Sequence, residues 1–108
     1  MKIIEFDNVF DETVLAFLNG NLGKLFRKDW KFGDSVISIF IREEYIVETR
    51  SYQNLTVIFE APNRNQKSSV TIIGSGGRKD SLDISGMSGS PTENILARRI
   101  EHIVSQSI

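Results

Sequence analysis

Residues 35–74 read SVISIFIREEYIVETRSYQNLTVIFEAPNRNQKSSVTIIG, and the way this stretch divides decides the fold. SVISIFI, YIVET, NLTVIFEAP and SSVTIIG are each rich in Val, Ile, Thr, Phe or Tyr. Such side chains favour extended backbone because they pack well on a pleated surface. Apolar and polar residues alternate in part at a period of two, the spacing of strands with a buried face. SYQN and PNRNQK supply turn-forming residues between them. Consecutive strands joined by short turns pair antiparallel.

Working outward, KIIEF at residues 2–6 reads as a short strand. Asp11 is placed to cap a helix by accepting from the free N–H groups of its first turn. Phe10 can staple onto Leu15. Val14, Leu18, Leu22 and Leu25 recur at helical spacing. Gly20 and Gly23 each cost this helix about 1 kcal/mol relative to Ala, so it either stops near Asn19 or is held by packing. RKDWKFGDS at 27–35 reads as a polar connection carrying Trp30 and Phe32. SLDIS at 81–85 is a candidate short fifth strand. SPTENILARRIEHIV at 90–104 has the clearest signals of the chain. Ser90 is the N-cap, Pro91 takes the first helical position and Glu93 closes a capping box. Leu96, Ile100, Ile103 and Val104 form its buried stripe.

The expected fold is α+β. A four- to five-stranded antiparallel sheet carries two helices on one face, in the order β-α-β-β-β-(β)-α, as one domain over residues 1–108. The face under the helices is read as Ile37, Ile39, Ile41, Leu55, Val57, Phe59, Val70, Ile72, Leu82 and Ile84. The opposite face then carries Val36, Ser38, Phe40, Arg42, Thr56, Ile58, Glu60, Thr71, Ile73 and Asp83. Four of those, Val36, Phe40, Ile58 and Ile73, are more apolar than a freely solvated face requires. They are the predicted interface residues, and a self-complementary patch is most simply used by a two-fold homodimer. An unidentified protein or small molecule is the other partner such a face suits.

Bulk composition narrows the function classes. The 108 residues carry a formal charge of −1, so no global field draws the chain to nucleic acid or anionic membrane. There is no cysteine, which excludes disulfides, thiolate metal sites and cysteine nucleophiles. One histidine without cysteine gives no zinc set, and His102 near a helix C-terminus suits the helix dipole. Nothing resembles a signal peptide, and no run approaches the roughly 18 apolar residues of a spanning helix. A cytoplasmic location without membrane contact is expected. No catalytic residue, metal or cofactor is assigned.

Two further features carry alternatives. IIGSGGRKD at 72–80 ends a strand in glycines followed by two cations. Backbone N–H groups of Gly76 and Gly77, with Arg78 and Lys79, can cradle an anion. A tight turn needs the same glycines, and the motif lacks the Gly-Lys-Ser/Thr helix start of a phosphate loop. SGMSGSP at 85–91, with Ser88 and Ser90, leads into the last helix, whose N-terminus attracts anions unless Ser90 already satisfies it. The alternative function is thus a phospholigand-binding protein or enzyme using loops 74–79 and 85–91. Separately, Lys24, Arg27, Lys28 and Lys31 against Asp29 give residues 24–31 a net +3, with Trp30 among them. Cations interleaved with aromatics can bind single-stranded nucleic acid. The same residues equally form a solvated loop anchored by its aromatics, and an acidic background disfavours nucleic acid.

VSIFIREEY, NLTVIFEA, a strand ending in GSGG and a closing helix together resemble a group of small bacterial α+β proteins classed as a domain of unknown function. The likeness covers roughly residues 36–104 and implies no catalytic residue. The order of elements is also similar to the TATA-binding-protein-like arrangement, a curved sheet backed by helices, which bears on fold alone.

Overall fold

A computed structural model describes residues 1–22, 26–46, 50–62, 66–76 and 91–105. Strands β1 (Lys2–Phe6), β2 (Phe26–Phe32), β3 (Ser35–Ile46), β4 (Ser51–Ala61) and β5 (Ser68–Gly76) form one sheet in the order β1-β5-β4-β3-β2. Every neighbouring pair is antiparallel. Helices α1 (Asp11–Leu22) and α2 (Pro91–Ser105) lie on one side of it. The fold is α+β, as expected.

β2 through β5 form a meander, and β1 sits beyond β5 at the far edge. The chain must therefore cross the whole sheet between β1 and β2, and α1 makes the crossing. Its 12 residues rise about 18 Å, close to the four gaps of about 4.8 Å that separate the edge strands. A short 3₁₀ turn over Asn8–Phe10 leads in. Asp7 caps that turn, its carboxylate accepting from the Val9 N–H at 3.0 Å. Asp11 does not take the capping role expected of it. The turn runs straight into the helix, so Asp11 already has helical dihedrals. The helix continues through Gly20 to Leu22, held by packing, with Val14, Leu18 and Leu22 buried.

RKDWKF is a strand and not a connection: residues 26–32 pair along their full length with β3. Gly33 supplies the turn, with φ of +62°, in the first central position of a two-residue hairpin loop. This edge strand is the fifth strand of the sheet, and the candidate SLDIS lies outside the described residues. Its cations suit an edge, where charge discourages pairing with other chains.

The core lies between sheet and helices. Ile4, Phe6, Phe40, Leu55, Val57, Phe59, Val70 and Ile72 face Val14, Leu18, Leu22, Leu96, Ala97 and Ile100. α2 packs over β1 and β5, and α1 packs over β3 and against α2. Phe6 and Phe59 rings meet at 6.4 Å. Ile103 and Val104 are partly buried against this cluster.

One expectation is reversed. β4 and β5 present Leu55, Val57, Phe59, Val70 and Ile72 to the helices as anticipated. β3 presents Phe40, fully buried, with Ser38 and Arg42 on the same side, while Ile37, Ile39 and Ile41 point away. Pairing fixes this: Phe40 lies opposite Val57, Ser38 opposite Phe59 and Arg42 opposite Leu55. Directly opposed residues share a face, and a shift of one residue would turn the whole strand over. Phe40 and Val36 are therefore not on the outer face.

Candidate functional site

The face turned away from the helices is apolar over most of its width. Its cross-strand rows follow from the registers. Lys28, Ile39, Ile58, Thr71 and Ile3 form one row across the sheet. Trp30, Ile37, Glu60, Ser69 and Glu5 form the next, and Phe26, Ile41, Thr56 and Ile73 lie on the other side. Phe32 and the pair Tyr45–Tyr52 extend the surface at its two ends, the tyrosine rings meeting edge to face at 5.0 Å. Phe26, Phe32, Tyr45, Tyr52 and Ile3 are each between 47% and 61% exposed. Trp30 and Ile41 are at 37%, still open to solvent.

Of the predicted interface residues, Ile58 and Ile73 lie on this face and are half-buried by their neighbours. Phe40 is in the core. Val36 is on the helix side, where it lines an open cleft of about 300 Å³ with Asn8, Asp11, Asp34, Phe59 and Pro62. The sequence reading missed Ile3, Phe26, Phe32, Ile37, Ile39, Ile41, Tyr45 and Tyr52. The signal for Phe26, Trp30 and Phe32 was the Gly33-Asp34 hairpin after alternating aromatics, which makes residues 26–32 a strand.

The basic segment is split between the two faces. Lys28 and Trp30 are on the outer face, the Lys28 ammonium 5.4 Å from the indole centre. Arg27, Asp29 and Lys31 alternate onto the helix side. Arg27 there lies 5.1 Å from the Phe40 ring centre, bonds Asp29 at 3.0 Å and donates to Asn19. The Ser38 hydroxyl donates to Asp29 and, with Arg27, holds that carboxyl below its usual range. Lys24 is outside the described residues. Within the described strands the outer face bears Glu5, Glu43 and Glu60 against the single cation Lys28. That balance repels phosphate chains, whose binding depends on clustered cations.

The glycine loop is also changed. Gly74 and Gly76 belong to β5, paired with Leu55 and Gln53, so the strand runs further than a turn at 74 would allow. Gly77, Arg78, Lys79, Ser88 and Ser90 lie outside the described residues. Among the described residues no three His, Cys, Asp or Glu side chains are grouped to hold a metal, and no helix is long and apolar enough to cross a membrane.

Asp11, at the cleft, has its carboxyl pushed up by burial; the Ser68 hydroxyl pulls it back in part and the Asp7 carboxylate adds to the rise. The folded state thus prefers neutral Asp11. Its contribution to stability is complete below the ordinary value of 3.8 and is lost as pH rises through the higher folded value. The stability of Asp11→Asn relative to wild type should therefore improve between about pH 3 and about pH 7. Paired thermal melts across that range check it, and a difference that stays flat or runs the other way refutes the burial effect.

No family model, curated protein or solved structure matches the chain.

Proposed function

We propose that the chain is a non-catalytic binding module that works as a homodimer, with the outer face of its sheet as the contact between copies. One observation carries this reading: both helices lie on one side, and the side left open carries Ile3, Phe26, Trp30, Phe32, Ile37, Ile39, Ile41, Ile58 and Ile73. Antiparallel sheets with one solvated face normally alternate cleanly between apolar and polar. This sheet is apolar on both faces over much of its area.

Size supports the same reading. Five strands span about 19 Å, and the rows from Phe32 to Tyr45 extend roughly 30 Å, which gives about 600 Å² per copy. Two such faces bury about 1,200 Å² together, above the roughly 1,000 Å² that a specific interface needs. Polar Thr56, Thr71, Ser69 and Asn54 sit among and beside the apolar side chains, as in the mixed surface of a contact that also exists in water.

Sedimentation equilibrium tests this. The wild type should be a dimer, and Ile39→Glu, at the centre of the face, should be a monomer with unchanged circular dichroism. A wild-type chain that stays monomeric into the millimolar range overturns the reading.

A further inference from the structure

The geometry points to a second binding site, on the helix side of the sheet: a cleft that takes a short aliphatic diamine, one ammonium at Asp11 and the other at Asp34. The cleft, of about 300 Å³, opens between the first turn of α1 and the turn that joins β2 to β3. Leu15, Val36, Phe59 and Pro62 supply apolar walls, and Asp11, Glu12 and Asp34 supply three carboxylates. Its volume stands at the low end of ligand cavities, roughly 300–1,000 Å³, which suits a small molecule. Phe59 and Val36 face the helices, so the site lies on the opposite side of the sheet from the proposed contact between copies and does not depend on it.

Acidic residues at the start of a helix have an ordinary explanation, since carboxylates suit the partial positive charge of the free N–H groups there. Asp11 and Glu12 fit it. Three observations do not. Asp34 lines the same cleft from a different part of the fold. The Asp11 Oδ1 atom is out of water and has no hydrogen-bond partner among the described residues. On the sheet nearby, Ser68 is wholly buried and its hydroxyl is likewise unpartnered. That hydroxyl stands close enough to the Asp11 carboxyl to lower its proton affinity, so both orphan oxygens face one spot. Buried polar atoms normally find partners, and two without one at the wall of a cleft call for an explanation. Asp11 is only half-buried, so a cation in the cleft can reach its other oxygen and offset the charge that burial leaves unpaired.

Charge decides the class of ligand. Asp11, Glu12 and Asp34 form no ion pair with a described residue. The Asp7 carboxylate adds to the negative field at Asp11. Lys31, opposite Val36 on the same side of the sheet, is exposed and forms no ion pair with them. Anions are repelled from such a cleft. A bare metal ion does not suit it either, because among the described residues no three acidic or histidine side chains are grouped to hold one. Carboxylates set apart along apolar walls suit two ammonium groups on a methylene chain. The chain lies along Val36 and Phe59, and each end donates to a carboxylate.

Isothermal titration calorimetry with cadaverine, a five-carbon diamine, tests the site at neutral pH and low salt, where screening is least. Binding should saturate at one diamine per chain. Asp11→Asn and Asp34→Asn should each weaken it about tenfold, the usual effect of losing one charge-assisted bond. Both substitutions keep the size of the side chain. Asp34 stands exposed in a turn, so its variant reports on the site with the fold intact. Pentylamine, with a single ammonium, should bind about tenfold more weakly than the diamine. A dissociation constant for cadaverine above about 10 mM, an affinity unchanged in either variant, or pentylamine bound as tightly as the diamine overturns the inference.

Discussion

Phe40→Ala is expected to destabilise the protein by about 3–5 kcal/mol, the usual cost of truncating a fully buried phenylalanine. Ile41→Thr, one residue along, should cost less than about 1 kcal/mol, since it keeps β-branching at an open position. Phe40 has no exposed surface and packs among Val57, the helices and the Arg27 guanidinium. Alanine there leaves a cavity in the middle of the core and removes the ring under Arg27. Ile41 is 37% exposed and faces away from both helices. Urea denaturation at concentrations low enough to keep the chain monomeric compares the two. Similar costs would mean that the side chains of β3 do not divide between the faces as described. Phe40→Glu, which the sequence reading would place harmlessly outside, should not yield folded protein at all.

That contrast shows where the sequence was legible. The rough element order, the strand at 2–6, most of β4 and β5 and both helices follow from periodicity in the chain, although SYQN, read as a turn, belongs to β4, and β5 runs past Gly74. β4 and β5 declared their buried faces because their odd and even positions differ sharply in polarity. β3 did not: Ile37, Ile39 and Ile41 form one apolar phase, and Val36 and Phe40 sit in the other with Ser38 and Arg42. Polarity favours burying the isoleucines. Register overrules it, because β3 and β4 pair Tyr45 with Tyr52, which sets even positions of β3 opposite odd positions of β4. Once Val57 faces the helices, Phe40 must as well. The two polar members of the buried phase then find partners. Ser38 bonds Asp29, and Arg42 reaches the Asn21 carbonyl at the end of α1.

The same override hid most of the candidate surface. A strand of alternating Phe26, Lys28, Trp30 and Phe32 looks like a basic loop while its hairpin is unrecognised. Isoleucines assigned to the core cannot be counted toward a contact. With both corrected, the outer face gains Phe26, Trp30, Phe32 and three isoleucines beside Ile58 and Ile73, and loses Phe40 and Val36. The surface idea then rests on a different set of residues.

Glu93→Ala is expected to cost about 2–4 kcal/mol, unusually much for a charged residue in the first turn of a helix. Capping logic would have Glu93 serve the start of α2. Ser90, the other half of that box, lies outside the described residues, and the Glu93 carboxylate also reaches across to the sheet. Oε2 lies 2.7 Å from the Met1 ammonium, and Oε1 accepts from the Gly74 N–H at 3.2 Å. The side chain is 1% exposed, so the charge is almost out of water and depends on these partners. One residue thereby ties the start of α2 to the edge strand β1 and to the end of β5. Alanine would leave the Gly74 N–H without this acceptor and open a void beside Leu96 and Ala97. Loss of a fully buried pair costs about 3–5 kcal/mol, and the half-exposed ammonium, free to regain water, brings the figure down. Glu93→Gln keeps the volume and an acceptor for Gly74 but gives up the ion pair, and should cost about half as much. Denaturant titration of the three proteins orders them wild type, Gln, Ala. A Glu93→Ala protein within about 0.5 kcal/mol of wild type, the range of an ordinary surface substitution, would mean that the helix docks without this clamp.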